Sequence, residues 1–82
     1  MINFIRLGDA TDHGGRVITA SDTADYDGIP LARKGDLIEC PQHPGVQPNV
    51  IEEGDEYMLD EGRPLARAGH RGTCGCHLIS SL

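Results

Sequence analysis

The sequence has no tryptophan, one phenylalanine and two tyrosines, so it offers little on which nucleic-acid bases could stack. Positive charge is scarce as well: seven basic side chains against thirteen acidic ones leave a formal charge of −6. A nucleic-acid binder needs a basic face that displaces counterions from phosphates, and this balance excludes one. No apolar run approaches the length that spans a bilayer. The opening MINFIRLGDA, its short apolar patch broken by Asn3 and Arg6, does not read as a secretory signal peptide. Long uninterrupted stretches are missing too. Eleven glycines and five prolines are spread over 82 residues, whereas an ordinary helix needs ten or more residues of 3.6 periodicity without a breaker. The best stretch, Asn49 to Asp60, is interrupted by Gly54. The chain reads as one small all-β domain, 1–82, of short strands and turns.

A domain of this size buries a modest share of its surface and often needs a staple. The three cysteines cannot all pair within one chain, and without a leader the thiols stay reduced. Four histidines accompany them, which makes a metal the better candidate for the staple.

The chain also repeats itself. Residues 28–40, GIPLARKGDLIEC, align without a gap with residues 62–74, GRPLARAGHRGTC, and seven positions are identical. Asp36 is replaced by His70. A shorter third copy stands at the N-terminus, where Arg6, Gly8, Asp9 and His13 match Arg33, Gly35, Asp36 and Cys40. The middle copy carries an insertion, PQHPGVQPN, that contains His43. Three hairpin arms about an approximate threefold axis follow. Gly8, Gly35 and Gly69 are expected to supply left-handed turn conformations, and Asp9 and Asp36 to bond nearby backbone N–H groups. Pro30 and Pro64 are expected at strand starts or edges. Ile5, Leu7, Ile18, Leu31, Ile51, Leu65 and Ile79 are expected to converge on one core. Glu52, Glu53, Asp55, Glu56, Asp60 and Glu61 read as a solvated acidic face.

The repeat brings His13, Cys40 and Cys74 to equivalent places, with His43 three residues after Cys40 and His70 four residues before Cys74. Zinc suits such a mixture of thiolate and neutral imidazole. Symmetry favours a set containing Cys40, namely His13, Cys40, His43 and Cys74. Two features favour His13, His43, His70 and Cys74 instead. The insertion lets His43 take over the donor role of the middle copy, and a Gly-His turn makes little sense unless His70 has a partner. His77 falls outside the set, and Cys40 and Cys76 each also read as a small buried hydrophobe.

The stretches GDATDHGG, GIPLARKGD, CPQH and GRPLARAGHRGTCGC resemble the PAAR-repeat proteins, the pointed tips of type VI secretion spikes. The proline-alanine-alanine-arginine signature stands here as Pro30-Leu31-Ala32-Arg33 and Pro64-Leu65-Ala66-Arg67. The resemblance runs from about Phe4 to Ile79. It implies a pointed cone of β-hairpins with a structural zinc near the vertex, in a mostly-histidine site with one cysteine, which favours His13, His43, His70 and Cys74 over the set with Cys40. It further implies a base seated on a trimeric valine-glycine-repeat spike, one copy per trimer, and transient contact with a target membrane. Effector proteins are a further class of partner, although no effector extension is read in this chain. The expected location is the cytoplasm of the producing bacterium, followed by secretion with the spike.

Two other function classes compete. A small zinc hydrolase would need an open coordination position and a general base such as Asp9, Asp12, Asp36 or Glu39. Four or five soft donors argue for a closed shell, and so small a core is expected to hold no substrate pocket. A metal carrier or redox sensor would expose Cys74 and Cys76 as a labile pair, which leaves the threefold repeat without a purpose.

Overall fold

Three glycines with left-handed backbone set the geometry of the chain: Gly8 at φ +88°, Gly35 at +92° and Gly69 at +88°. Few other residues adopt that region without strain. Each turn is closed in the same way from inside. The N–H of Arg6 donates to Asp9 Oδ2 at 2.8 Å, that of Arg33 to Asp36 Oδ2 at 2.7 Å, and that of Arg67 to His70 Nδ1 at 3.0 Å. The imidazole of His70 therefore does what a carboxylate does in the other two copies.

The computed structural model describes residues 3–82, and among them there is no helix. Six short strands pair antiparallel in twos: β1 (Arg16–Val17) with β4 (Ile38–Glu39), β2 (Asp25–Tyr26) with β3 (Ile29–Pro30), and β5 (Asp55–Asp60) with β6 (Arg63–Leu65). The β2–β3 and β5–β6 hairpins turn through Asp27-Gly28 (φ 55° and 82°) and Glu61-Gly62 (φ 51° and 82°). Two successive positive φ angles make a type I′ turn, whose twist matches that of the flanking strands. Pro30 and Pro64 lie in two-stranded pairs, where both strands are edges and a missing N–H costs nothing.

Between these hairpins and the glycine turns, the three copies close on one another. Isolated bridges join Arg6 to Leu31, Arg33 to Leu65 and Arg67 to Phe4, so each copy pairs with the next and the last returns to the first. One step further in, the N–H of Ala32 donates to the carbonyl of Ile5 (2.8 Å), that of Ile5 to Ala66 (3.1 Å) and that of Ala66 to Ala32 (3.0 Å). All three residues are fully buried. Three backbones in mutual contact leave little room at two of these positions, which the repeated signature fills with alanine, while Ile5 in the first copy directs its larger side chain into the core.

The core comprises Ile5, Ala32 and Ala66 together with Val17, Ile38, Ile51, Cys76 and Leu78. Ile5, Leu31, Ile51 and Leu65 are buried as expected, but Leu7, Ile18 and Ile79 are not: they are 41%, 44% and 49% exposed. Their neighbours Val17 and Leu78 take the places equivalent to Ile51. The glycine turns fix this register, since the N–H groups of Gly8, Gly35 and Gly69 donate to the carbonyls of Val17, Ile51 and Leu78. A one-residue displacement along a strand exchanges the buried and the solvent faces.

The acidic stretch is only partly a solvated face. Asp60 is buried and accepts hydrogen bonds from Ser21 and, at 2.7 Å, from Thr23, with Arg33 Nη1 at 3.4 Å. Asp55 pairs with Arg67 at 2.7 Å. The signature arginines of the second and third copies thus fasten the hairpins to the axis.

The tightest packing lies at Gly15, where an added Cβ would sit 1.8 Å from the carbonyl oxygen of Glu39. Gly15→Ala is therefore expected to cost more than about 2 kcal/mol of overpacking, which is a fall of ~10 °C or more in melting temperature for a domain of this size. Gly45 faces open space, and Gly45→Ala should melt within about 2 °C of the parent. Thermal melting followed by circular dichroism checks both.

Candidate metal centre

Beyond the core, each copy ends in a turn that points along the axis. Residues 12–14 and 73–75 form two short turns, each closed by an N–H to C=O bond, Gly14 to Thr11 at 3.2 Å and Gly75 to Gly72 at 3.0 Å. In the middle copy the place of these turns is taken by residues 40–48, a longer loop that begins at Cys40. Thr11 steadies the first turn from within, since its Oγ1 accepts the N–H groups of His13 (3.3 Å) and Gly15 (3.1 Å).

Four donor side chains from these three turns meet. One ligand atom each of His13, Cys40, His43 and Cys74 lies within 4.8 Å of all the others. His13 Nδ1 is 3.7 Å from Cys40 Sγ and 3.9 Å from Cys74 Sγ, and His43 Nδ1 is 3.6 Å from Cys40 Sγ. In a tetrahedral zinc site, bonds of about 2.3 Å to sulfur and 2.0–2.1 Å to nitrogen place an S and an N ligand roughly 3.6 Å apart. The three sulfur–nitrogen spacings are close to that value, and the group as a whole, spread over at most 4.8 Å, would contract around an ion. All three copies contribute, so the cluster sits on the pseudo-threefold axis.

The electrostatics of the pair of thiols fit a cation. At Cys74, burial opposes ionisation, but hydrogen bonds from the Cys76 backbone, the Asn49 side chain and the neighbouring thiols outweigh it and bring the pKa down to about 6. At Cys40, burial and the adjacent Cys74 push the pKa up. One thiolate forms readily and then opposes the second, a repulsion that a divalent ion between them would relieve. Two thiolates and two neutral imidazoles would balance a divalent charge and match the preference of a borderline-soft metal.

Of the expected donors, His13, His43 and Cys74 are brought together and His70 is not. Its Nδ1 is engaged by the Arg67 N–H, and Cys40 completes the group of four. His77 is half exposed, and its backbone N–H and Nδ1 meet the Asp12 carboxylate at 2.8 and 3.2 Å. Cys76 is fully buried, with burial first and Cys74 second in pushing its thiol up to about 12. It packs as a neutral thiol. Against expectation, the surface does hold an open groove of about 360 Å³ beside the middle loop, lined by Ile18, Leu37, Pro41, Pro44 and Val46 and reached by the donors Cys40 and His43. Sequence reasoning missed Thr11 and Asn49, whose roles are backbone contacts that only the folded turns reveal.

A family model described as the PAAR motif matches residues 7–80. No curated protein matches the chain.

In metal-free protein near neutral pH, iodoacetamide should modify Cys74 well before Cys40 and leave Cys76 unmodified until unfolding, because the thiolate is the nucleophile. Peptide mass spectrometry over time gives the order. Faster modification of Cys76 would contradict the assignment.

Proposed function

The chain belongs to the PAAR family of type VI secretion spike tips, and from that premise we propose that it caps and sharpens a trimeric valine-glycine-repeat spike, one copy per trimer, with a structural zinc at its point. The observation that carries this reading is the closed pseudo-threefold ring of Ile5, Ala32 and Ala66, continued along the same axis by donors from all three copies. One chain with three similar arms can match the three chains of a symmetric β-spike, each arm adding to the edge of one chain. Three copies would crowd a single axis. The short paired strands at the hairpin end, farthest in chain order from the metal turns, present the edges for this addition, and the single lysine, Lys34, leaves them with little lysine gatekeeping.

Zinc would be held by His13, Cys40, His43 and Cys74. Bound there, it would cross-link the three turns, closing by coordination an end that has no hydrophobic core. Cys40 and His43 hold it from one loop, three residues apart, while His13 and Cys74 tie it to the other two copies. Four protein donors fill a tetrahedral shell, and a catalytic zinc keeps one position open for water. The family is a structural one, and the site supports that reading over a hydrolase. The tip would be made in the cytoplasm and leave with the spike, touching the target membrane in passage and carrying effectors on the spike it crowns.

Removal of the metal by a strong chelator should lower the melting temperature by ~15 °C or more, the effect of losing a ligand present far above its dissociation constant. Cys40→Ser and Cys74→Ser should abolish stoichiometric zinc, whereas His70→Asp, which restores the carboxylate of the other two turns, should retain it. Elemental analysis of purified variants reads this out. For the partner, mixing with the cognate spike and weighing the complex should give one chain per trimer; three per trimer, or no complex, would contradict the proposal.

A further inference from the structure

Asn49 is only 5% exposed and occupies a layer of the axis that polar side chains otherwise avoid. Its carbonyl accepts the N–H of Ile38 at 2.8 Å, as the carbonyls of Gly15 and Cys76 accept those of Thr11 (3.0 Å) and Gly72 (2.9 Å). Asn49, Gly15 and Cys76 are thus the three equivalent positions, immediately after the turns that carry the donors. Two of them are filled by a glycine and a neutral thiol. The third holds an amide.

That amide is half satisfied. Its Oδ1 accepts the backbone N–H of Cys74 at 3.3 Å, while its buried Nδ2 has no hydrogen-bond partner. An unmet buried donor costs about 1–3 kcal/mol, and an apolar residue in this layer would avoid the cost. The residue this amide already holds is Cys74, one of the four clustered donors, and the Cys74 sulfur is an acceptor that the amide leaves unengaged. A thiol sulfur accepts weakly. A metal-bound thiolate carries charge, and hydrogen bonds to charged acceptors are roughly twice as strong.

We propose that Asn49 is a positioning residue for the metal centre, clamping Cys74 with Oδ1 on its backbone N–H and Nδ2–H on its thiolate sulfur. Asn49 also ends the loop that carries Cys40 and His43. One side chain therefore couples that loop to the turn of the third copy and fixes the distance between the two sulfurs. The inference rests on the reading that His13, Cys40, His43 and Cys74 hold a metal.

The test uses the full chain with Asn49→Asp and Asn49→Ala. Asn49→Asp keeps the size and the acceptor for Cys74 N–H but loses the donor. Both variants should bind zinc about 10- to 100-fold more weakly in chelator competition, the usual effect of losing a hydrogen bond to a metal ligand. With cobalt(II) in place of zinc, the sulfur-to-metal charge-transfer band should shift in both. Zinc affinities within about twofold of the parent, with metal-free and loaded forms losing the same melting temperature, would show a purely structural residue and overturn the proposal. A second measurement needs no variant. In the parent protein loaded with cadmium-113, a scalar coupling between the metal and an Asn49 side-chain amide proton should report the N–H to sulfur bond, and its absence would count against it. If the parent takes up no metal at all, the metal reading itself fails and takes this inference with it. If the parent binds metal and the variants match it, only the role of Asn49 falls.

Discussion

Three backbone hydrogen bonds around one axis organise the molecule. The ring from Ala32 to Ile5, Ile5 to Ala66 and Ala66 to Ala32 has no free edge, since each copy donates to one neighbour and accepts from the other. It can close only if backbones approach to van der Waals contact, so the side chains at the ring must be small or directed along the axis. The repeated Leu-Ala-Arg of the second and third copies follows from that constraint. Leucine packs just outside the ring, alanine fits in it, and arginine reaches back to the hairpins, with Arg33 held by Asp36 and Asp60 and Arg67 by Asp55. Arg6, in the first copy, donates instead to the Tyr26 carbonyl at 3.1 Å and to Ser81 Oγ at 3.0 Å.

The same threefold closure creates a difficulty at the tip. Toward the turns that carry the donors the core thins out: none of those turns contributes a large apolar side chain to it, and hydrophobic burial does little to hold them together. The last core layers, Val17, Ile51 and Leu78 and then Gly15, Asn49 and Cys76, show this taper in their residue types. Coordination is the interaction suited to such a place, because a single ion between four donors would replace a core. A structural zinc contributes about 10–16 kcal/mol of apparent folding energy, large beside the 5–15 kcal/mol of net stability typical of small domains.

Much of this was legible in the sequence because symmetry multiplied each signal. The left-handed glycines, the aspartate-held turns and the gathering of histidine and cysteine each occur in two or three copies, and repetition separates a constraint from chance. What was not legible depended on register and on substitution within a shared role. Val17-Ile18 and Leu78-Ile79 are apolar pairs, and the sequence does not say which member faces inward; the hydrogen bond from the preceding glycine turn decides it. His70 reads as a ligand because it stands where the other copies have the turn aspartate, and a Gly-His turn calls for a partner. Yet an unprotonated imidazole nitrogen accepts a backbone N–H as a carboxylate does, and the Gly69 turn asks for nothing else. Asp60 sits among acidic neighbours and reads as solvated, although Ser21 and Thr23, far upstream, supply its partners. Asn49 carried no signal beyond its place at the end of an insertion.

The account turns on which atoms would surround a zinc ion held at the proposed site. X-ray absorption at the zinc edge of the purified protein measures that shell without perturbing the fold. Two sulfurs at about 2.3 Å and two nitrogens at about 2.0–2.1 Å are the expected result. A shell of one sulfur and three nitrogens would return His70 to the site at the expense of Cys40, and a shell with a light-atom ligand in place of a sulfur would open the position that a closed structural site does not have.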